Sequence, residues 1–81
     1  PKGALWVDAG ARNALLDKGK SLLPPGVSQC IGEFAKGDVV RICDLQGTEF
    51  SRGISRYNAD EIRARKLKGV EIVPRDDLVI L

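Results

Sequence analysis

The chain of 81 residues has no histidine and no methionine, and only two cysteines, one tryptophan, one tyrosine and two phenylalanines. Each shortage excludes something. Without histidine, no side chain with an ordinary pKa near neutrality is on hand as a general base. Ser21 and Ser51 therefore lack an evident activating partner. Two thiols, Cys30 and Cys43, with no C-x-x-C pair, do not supply the four ligands of a structural zinc site. Nothing points to an oxidising compartment, so both are expected as reduced, buried, small hydrophobes on neighbouring strands. One Trp and one Tyr make a poor stacking platform for single-stranded nucleic acid. No apolar run, Leu78-Val79-Ile80-Leu81 included, approaches the ~20 residues that span a bilayer. No secretory leader is visible, and no membrane partner is expected.

Net charge is scarce as well. Thirteen Lys and Arg against eleven Asp and Glu leave +2, a sum that announces no polyanion partner. Distribution carries more: Arg63, Arg65, Lys66 and Lys68 cluster, and Lys18 and Lys20 stand close together. Asp76 and Asp77 are adjacent, so on an extended chain their side chains diverge and form no catalytic carboxylate pair. The residues offer no catalytic, cofactor-binding or metal-binding set.

What is present is an ordinary globular balance, 43% hydrophobic and 30% charged. Length allows one domain, residues 1–81, with no room for a second core. Such a domain buries roughly 60% of its unfolded surface. The chain begins at Pro1 and lacks Met, so it is expected to be a piece of a longer protein.

Patterning places the elements. "ALWV", Ala4 to Val7, reads as a strand. Ala11, Ala14, Leu15 and Lys18 recur at helical spacing, which predicts a helix of about ten residues with Asp8 as N-cap and Gly19 just past its end. "VSQCI", "VVRIC" and "EFSRGISRY" read as strands, separated by turns at Gly37 and Gly47. In the last, Phe50, Arg52 and Ile54 alternate with Ser51, Gly53 and Ser55; a face so small predicts close approach by another backbone, a bulge or a ligand. Asn58 with Glu61 predicts a capping box on a second helix that runs to Gly69. "VEIV" reads as a short strand before Pro74, and "LVIL" as the closing strand. The principal order is β-α-β-β-β-α-β, mainly β with two short helices. Many short strands in so small a chain favour a closed or partly closed barrel, which hides aggregation-prone edges.

Between the first helix and the second strand lies "GKSLLPPGV", Gly19 to Val27. Its G-K-S is not a P-loop. The upstream glycine that motif needs falls at Ala14, and the stretch follows a helix and precedes a strand. Pro24 and Pro25 stiffen the loop, and Gly26 permits a bend. Two readings stay open: a rigid connector whose leucines cover one end of the barrel, or a shaped surface for a ligand.

"VDAGARNALLDKGKSLLPPGV", "GEFAKGDVVRICDLQGTEFSRGISRYN" and "PRDDLVIL" resemble the C-terminal PUA domain of the bacterial glutamate 5-kinase family. "LPPGV" is shared broadly among PUA domains, while "SRGISRYN" is the mark of the kinase type. The resemblance departs at "LKGVEIV", which bridges in a few residues a segment usually longer, and at Pro74, where His is common. It implies a small PUA-like pseudo-barrel serving as an accessory or regulatory domain. The parent enzyme would phosphorylate L-glutamate with ATP and magnesium, in the cytoplasm, at the first step of proline biosynthesis. The N-terminal amino-acid kinase domain would be this domain's partner in the same chain, and this chain alone would be inactive. A homo-oligomer is a further candidate partner. The alternative implied by other PUA proteins is an RNA-binding module of an RNA-modification or translation-associated protein. Its surface would comprise Lys18, Gly19, Lys20, Ser21, Leu22, Leu23, Pro24 and Gly26.

Overall fold

A computed structural model describes residues 1–81. Five strands form one sheet: β1 (Gly3–Val7), β2 (Val27–Gly32), β3 (Val39–Cys43), β4 (Glu49–Ile54) and β5 (Leu78–Ile80). The spatial order is β2-β1-β3-β4-β5. Neighbours are antiparallel except β1 and β3, which run parallel with Leu5 opposite Ile42. Two helices complete the chain, α1 (Ala9–Asp17) and α2 (Ala59–Arg63), so the order β-α-β-β-β-α-β stands.

Local chemistry sets the element ends. The Asp8 carboxylate accepts the Ala11 N–H at 2.8 Å and starts α1. The Asn58 and Glu61 side chains each accept the other's backbone N–H, the reciprocal box that starts α2. The apolar faces of β1 and β3 meet Leu15, Leu22, Ile72 and Val73 in one buried core. Ser51 and Ser55 are also fully buried, and their hydroxyls donate to the Val79 and Tyr57 carbonyls. Burial without unpaired polar atoms keeps this small-residue face inexpensive.

That face answers one expectation. A Cβ on Gly53 would run into the Val73 side chain and stand 3.0 Å from the Asp77 carbonyl oxygen, so another stretch of backbone crosses there. Phe50 departs from its alternation partners. Arg52 and Ile54 are exposed, whereas a shift in register beside Cys43 turns Phe50 inward, beneath the Arg12 guanidinium at 5.4 Å.

Four expectations are corrected. "VEIV" is not a strand. Ile72 and Val73 are buried because they fill the space between the two ends of the sheet. There Ile72 N–H donates to the Leu22 carbonyl, Leu22 N–H to Val73, and Arg56 N–H to Ile72. β2 and β5 do not pair with each other, so the barrel is only partly closed, and this segment spans the gap. The second helix stops well before Gly69, because Arg65 takes a left-handed backbone at φ +58°. Lys18 lies past the end of α1 and is exposed, so the buried stripe ends at Leu15. Finally, Cys30 and Cys43 are not on neighbouring strands: β1 separates them, with Leu5 opposite Cys30 and Trp6 opposite Cys43. Both are free thiols, Cys43 buried and Cys30 half-buried. Burial pushes both thiols above their ordinary value of 9.0.

Candidate functional site

The stretch after α1 forms one wall of a cleft of about 640 Å³. Its shape follows from three local features. Gly19, at φ +60°, turns the chain off the helix, a conformation that other L residues adopt only under strain. The Lys20 N–H then donates back to Ala14 at 3.1 Å. Further on, Pro24–Gly26 forms a single 3₁₀ turn, for which proline's fixed φ is well suited. Gly26 sits against α1 so closely that a Cβ there would lie 2.6 Å from that of Ala11. The small residues Ala11 and Ala14 thus let the loop lie on the helix and make the cleft floor.

The structure distributes the predicted residues unevenly. Gly19, Lys20, Ser21, Leu23 and Gly26 line this cleft. Leu22 does not: it is 1% exposed and belongs to the core, in a β-bridge with Val73. Leu23, its neighbour, is 50% exposed. Pro24 borders a separate recess of about 270 Å³, and Lys18 borders neither hollow. Because Leu22 directs its N–H and C=O to Ile72 and Val73, the flanking amides of Ser21 and Leu23 face the other way and donate to no protein acceptor.

Residues distant in sequence complete the cleft. Arg75 and Glu71 reach it from the segment before β5, and Asp8 from the start of α1. The Arg75 backbone N–H donates to the Ser21 hydroxyl at 2.8 Å, which ties the loop to the second 3₁₀ turn, Arg75–Asp77. The Arg75 side chain lies over Gly19, 3.3 Å from where a Cβ would stand. The cleft therefore offers two cations, Lys20 and Arg75, two carboxylates, Asp8 and Glu71, and two open amides. Such a set can bind a polar ligand. Arg75 had no signal in the sequence, since only folding brings it to Gly19.

Comparison with known proteins agrees with this architecture. The sequence model of the PUA domain matches residues 3–76. The glutamate 5-kinase of Salmonella paratyphi B is 49% identical over 63 residues, 78% of this chain but 17% of that protein. The chain thus matches only a small part of the curated relative's length. Among solved structures, a PUA domain from Aeropyrum pernix K1, in a tartrate complex, has a TM-score of 0.78 at 31% identity, over 90% of this chain and 41% of that one. The archaeal box H/ACA sRNP Nop10–Cbf5 complex contains the same fold, with a TM-score of 0.74 at 24% identity over 93% of this chain and 26% of that one. Five strands in this order, two short helices, and a family match over nearly the whole length lead to one conclusion: the chain belongs to the PUA domain family.

Proposed function

We propose that this chain is the PUA domain of a glutamate 5-kinase and acts there as an accessory domain. The observation that carries this reading is the 49% identity over 63 residues to such an enzyme. The parent would transfer the γ-phosphoryl of ATP to the side-chain carboxylate of L-glutamate, the opening step of proline biosynthesis, in the cytoplasm. An N-terminal amino-acid kinase domain of the same polypeptide would hold ATP, magnesium and the catalytic residues. The present domain is left with packing against that domain, contact between subunits, or regulation. The test is an assay of glutamate-dependent ADP release from the full-length protein that carries this sequence. Turnover is expected from the full-length protein and none from residues 1–81 alone. A full-length protein without that activity would overturn the reading.

A second reading has its own support in the cleft. Lys20, Arg75 and the open amides of Ser21 and Leu23 suit the phosphates of an RNA backbone, which take hydrogen bonds from amides and charge from cations. Asp8 and Glu71 on the same walls weaken that attraction. Titration with an oligoribonucleotide at two salt concentrations tests it. Affinity should fall steeply with salt, and changing Lys20 and Arg75 to Ala should lower the salt slope by about one for each phosphate no longer neutralised. Absence of binding at low salt would leave the loop a structural connector.

A further inference from the structure

We propose that the recess on the other side of the Pro24–Pro25 turn is a phosphate subsite, which takes the phosphate of a nucleotide on Arg65 and Lys68. The inference deepens the RNA reading and rests on it. The recess, about 270 Å³, lies between that turn and the segment leaving α2. Its charged lining residues are Arg65 and Lys68, with no carboxylate among them. The larger cleft sets Asp8 and Glu71 against its two cations. An anion choosing between the hollows on charge alone is therefore drawn to the smaller one.

Arg65 is prepared for such a ligand. Its guanidinium donates to the Val27 carbonyl at 2.5 Å and to the Ser28 carbonyl at 2.8 Å. A guanidinium carries five N–H donors in a planar fork, so three remain, held in place before any ligand arrives. Orientation fixed in advance lowers the entropy lost on binding. The backbone is anchored as well. Arg65 is the one non-glycine residue at positive φ, in the position after a helix where glycine is the unstrained choice. The two carbonyl bonds hold that turn in place, and the guanidinium with it. Two carbonyl bonds account for two donors, and three stay free for a ligand of the recess that Arg65 borders. Pro24, Ile62, Leu67 and Ile72 supply an apolar wall, which keeps water from one side of the cations and offers a surface to a base or sugar. Pro25 borders both hollows, so one strand can cross the turn from the larger cleft to the smaller.

The test titrates this chain with a 12-nucleotide oligouridylate and with adenosine monophosphate, each at low and moderate salt. Lys68→Ala is the primary variant, since Lys68 is exposed and makes no contact on which folding depends. It should weaken oligouridylate binding about tenfold and lower the salt slope by about one, with an unchanged melting temperature. Arg65→Lys keeps the charge but loses the fork, and should also weaken binding. If Lys68→Ala binds as well as the unaltered chain while Lys20→Ala and Arg75→Ala bind poorly, the recess is not a subsite and the RNA reading survives. If the unaltered chain binds neither probe, both are overturned. Binding of adenosine monophosphate without oligouridylate would uphold the phosphate site and overturn an RNA strand as its source.

Discussion

At the scale of single residues, the neighbouring pair Leu22 and Leu23 separates packing from surface. Leu22 is fully buried, so Leu22→Ala should cost about 2–5 kcal/mol, whereas Leu23→Ala, half exposed, should cost much less; chemical denaturation of the two variants checks the difference. Pro25 stands in a 3₁₀ turn, whose φ proline shares. Pro25→Ala should therefore lose about 0.4–1 kcal/mol, through added freedom in the unfolded chain. Gly53→Ala belongs here too. Its methyl group would meet Val73 and the Asp77 carbonyl, and the overpacking should cost about 1–3 kcal/mol. The two thiols bring a pH effect. Their pKa values are raised in the fold, so the folded state holds its protons longer than the unfolded one. Their stabilising contribution is whole below the unfolded pKa and is lost as pH rises through the folded value. Melting followed from about pH 7 to about pH 10 should show a decline that Cys43→Ala reduces.

At the scale of elements, the open edge of β2 is closed by α2 and the turn that follows it rather than by another strand. Arg63 donates to the Cys30 and Gly32 carbonyls, and Arg65 to those of Val27 and Ser28. An uncovered edge offers its carbonyls to other chains, and a row of guanidinium groups is one way to blunt it. The basic cluster that the sequence shows at Arg63 to Lys68 is thus divided. The two arginines hold an edge, while Lys66 and Lys68 stay in solvent. Changing Arg63 and Arg65 together to Ala should destabilise the domain by about 1–3 kcal/mol and raise its light scattering at high concentration, since four edge carbonyls lose charged donors. A double variant as stable and monodisperse as the unaltered chain would refute this account of the edge. α2 itself is only five residues long, so its capping box matters: Asn58→Ala should cost about 1 kcal/mol.

At the scale of the whole molecule, the domain has one core and a barrel that does not close on itself. The segment Ile72–Val73 bridges the gap, and it also delivers Glu71 and Arg75 to the cleft. Stability and the candidate site therefore share one piece of chain. Loosening Ile72–Val73, for instance by Val73→Ala, should both lower the melting temperature and weaken any ligand of the cleft, whereas Lys20→Ala should affect the ligand alone. No helix is long and apolar enough to cross a membrane.

Much of this was legible in residue order because it depends on neighbours in sequence. The Asp8 and Asn58 caps, the turns at Gly37 and Gly47, the strand Val39–Cys43 and the stiff Pro24–Pro25 turn are set by interactions a few residues long, and all appear where the pattern predicts them. The smallness of Ser51, Gly53 and Ser55 leaves a crossing backbone, a bulge or a ligand open, and the contact of Gly53 with Val73 and Asp77 selects the first. Tertiary structure decided what depends on distant partners. "VEIV" has the composition of a strand, yet Ile72 and Val73 became filling between two sheet ends, because burial selects the same apolar residues as a strand does. The second helix ends early because Arg65 finds carbonyls of β2, 37 and 38 residues away in sequence, that reward a left-handed turn. The cysteines are parted by β1 because a parallel pairing places β1 beside β3, an arrangement no local signal encodes. The candidate cleft follows the same division: its loop was visible as "GKSLLPPGV", while Arg75 and Glu71 joined it only when the chain closed over the core.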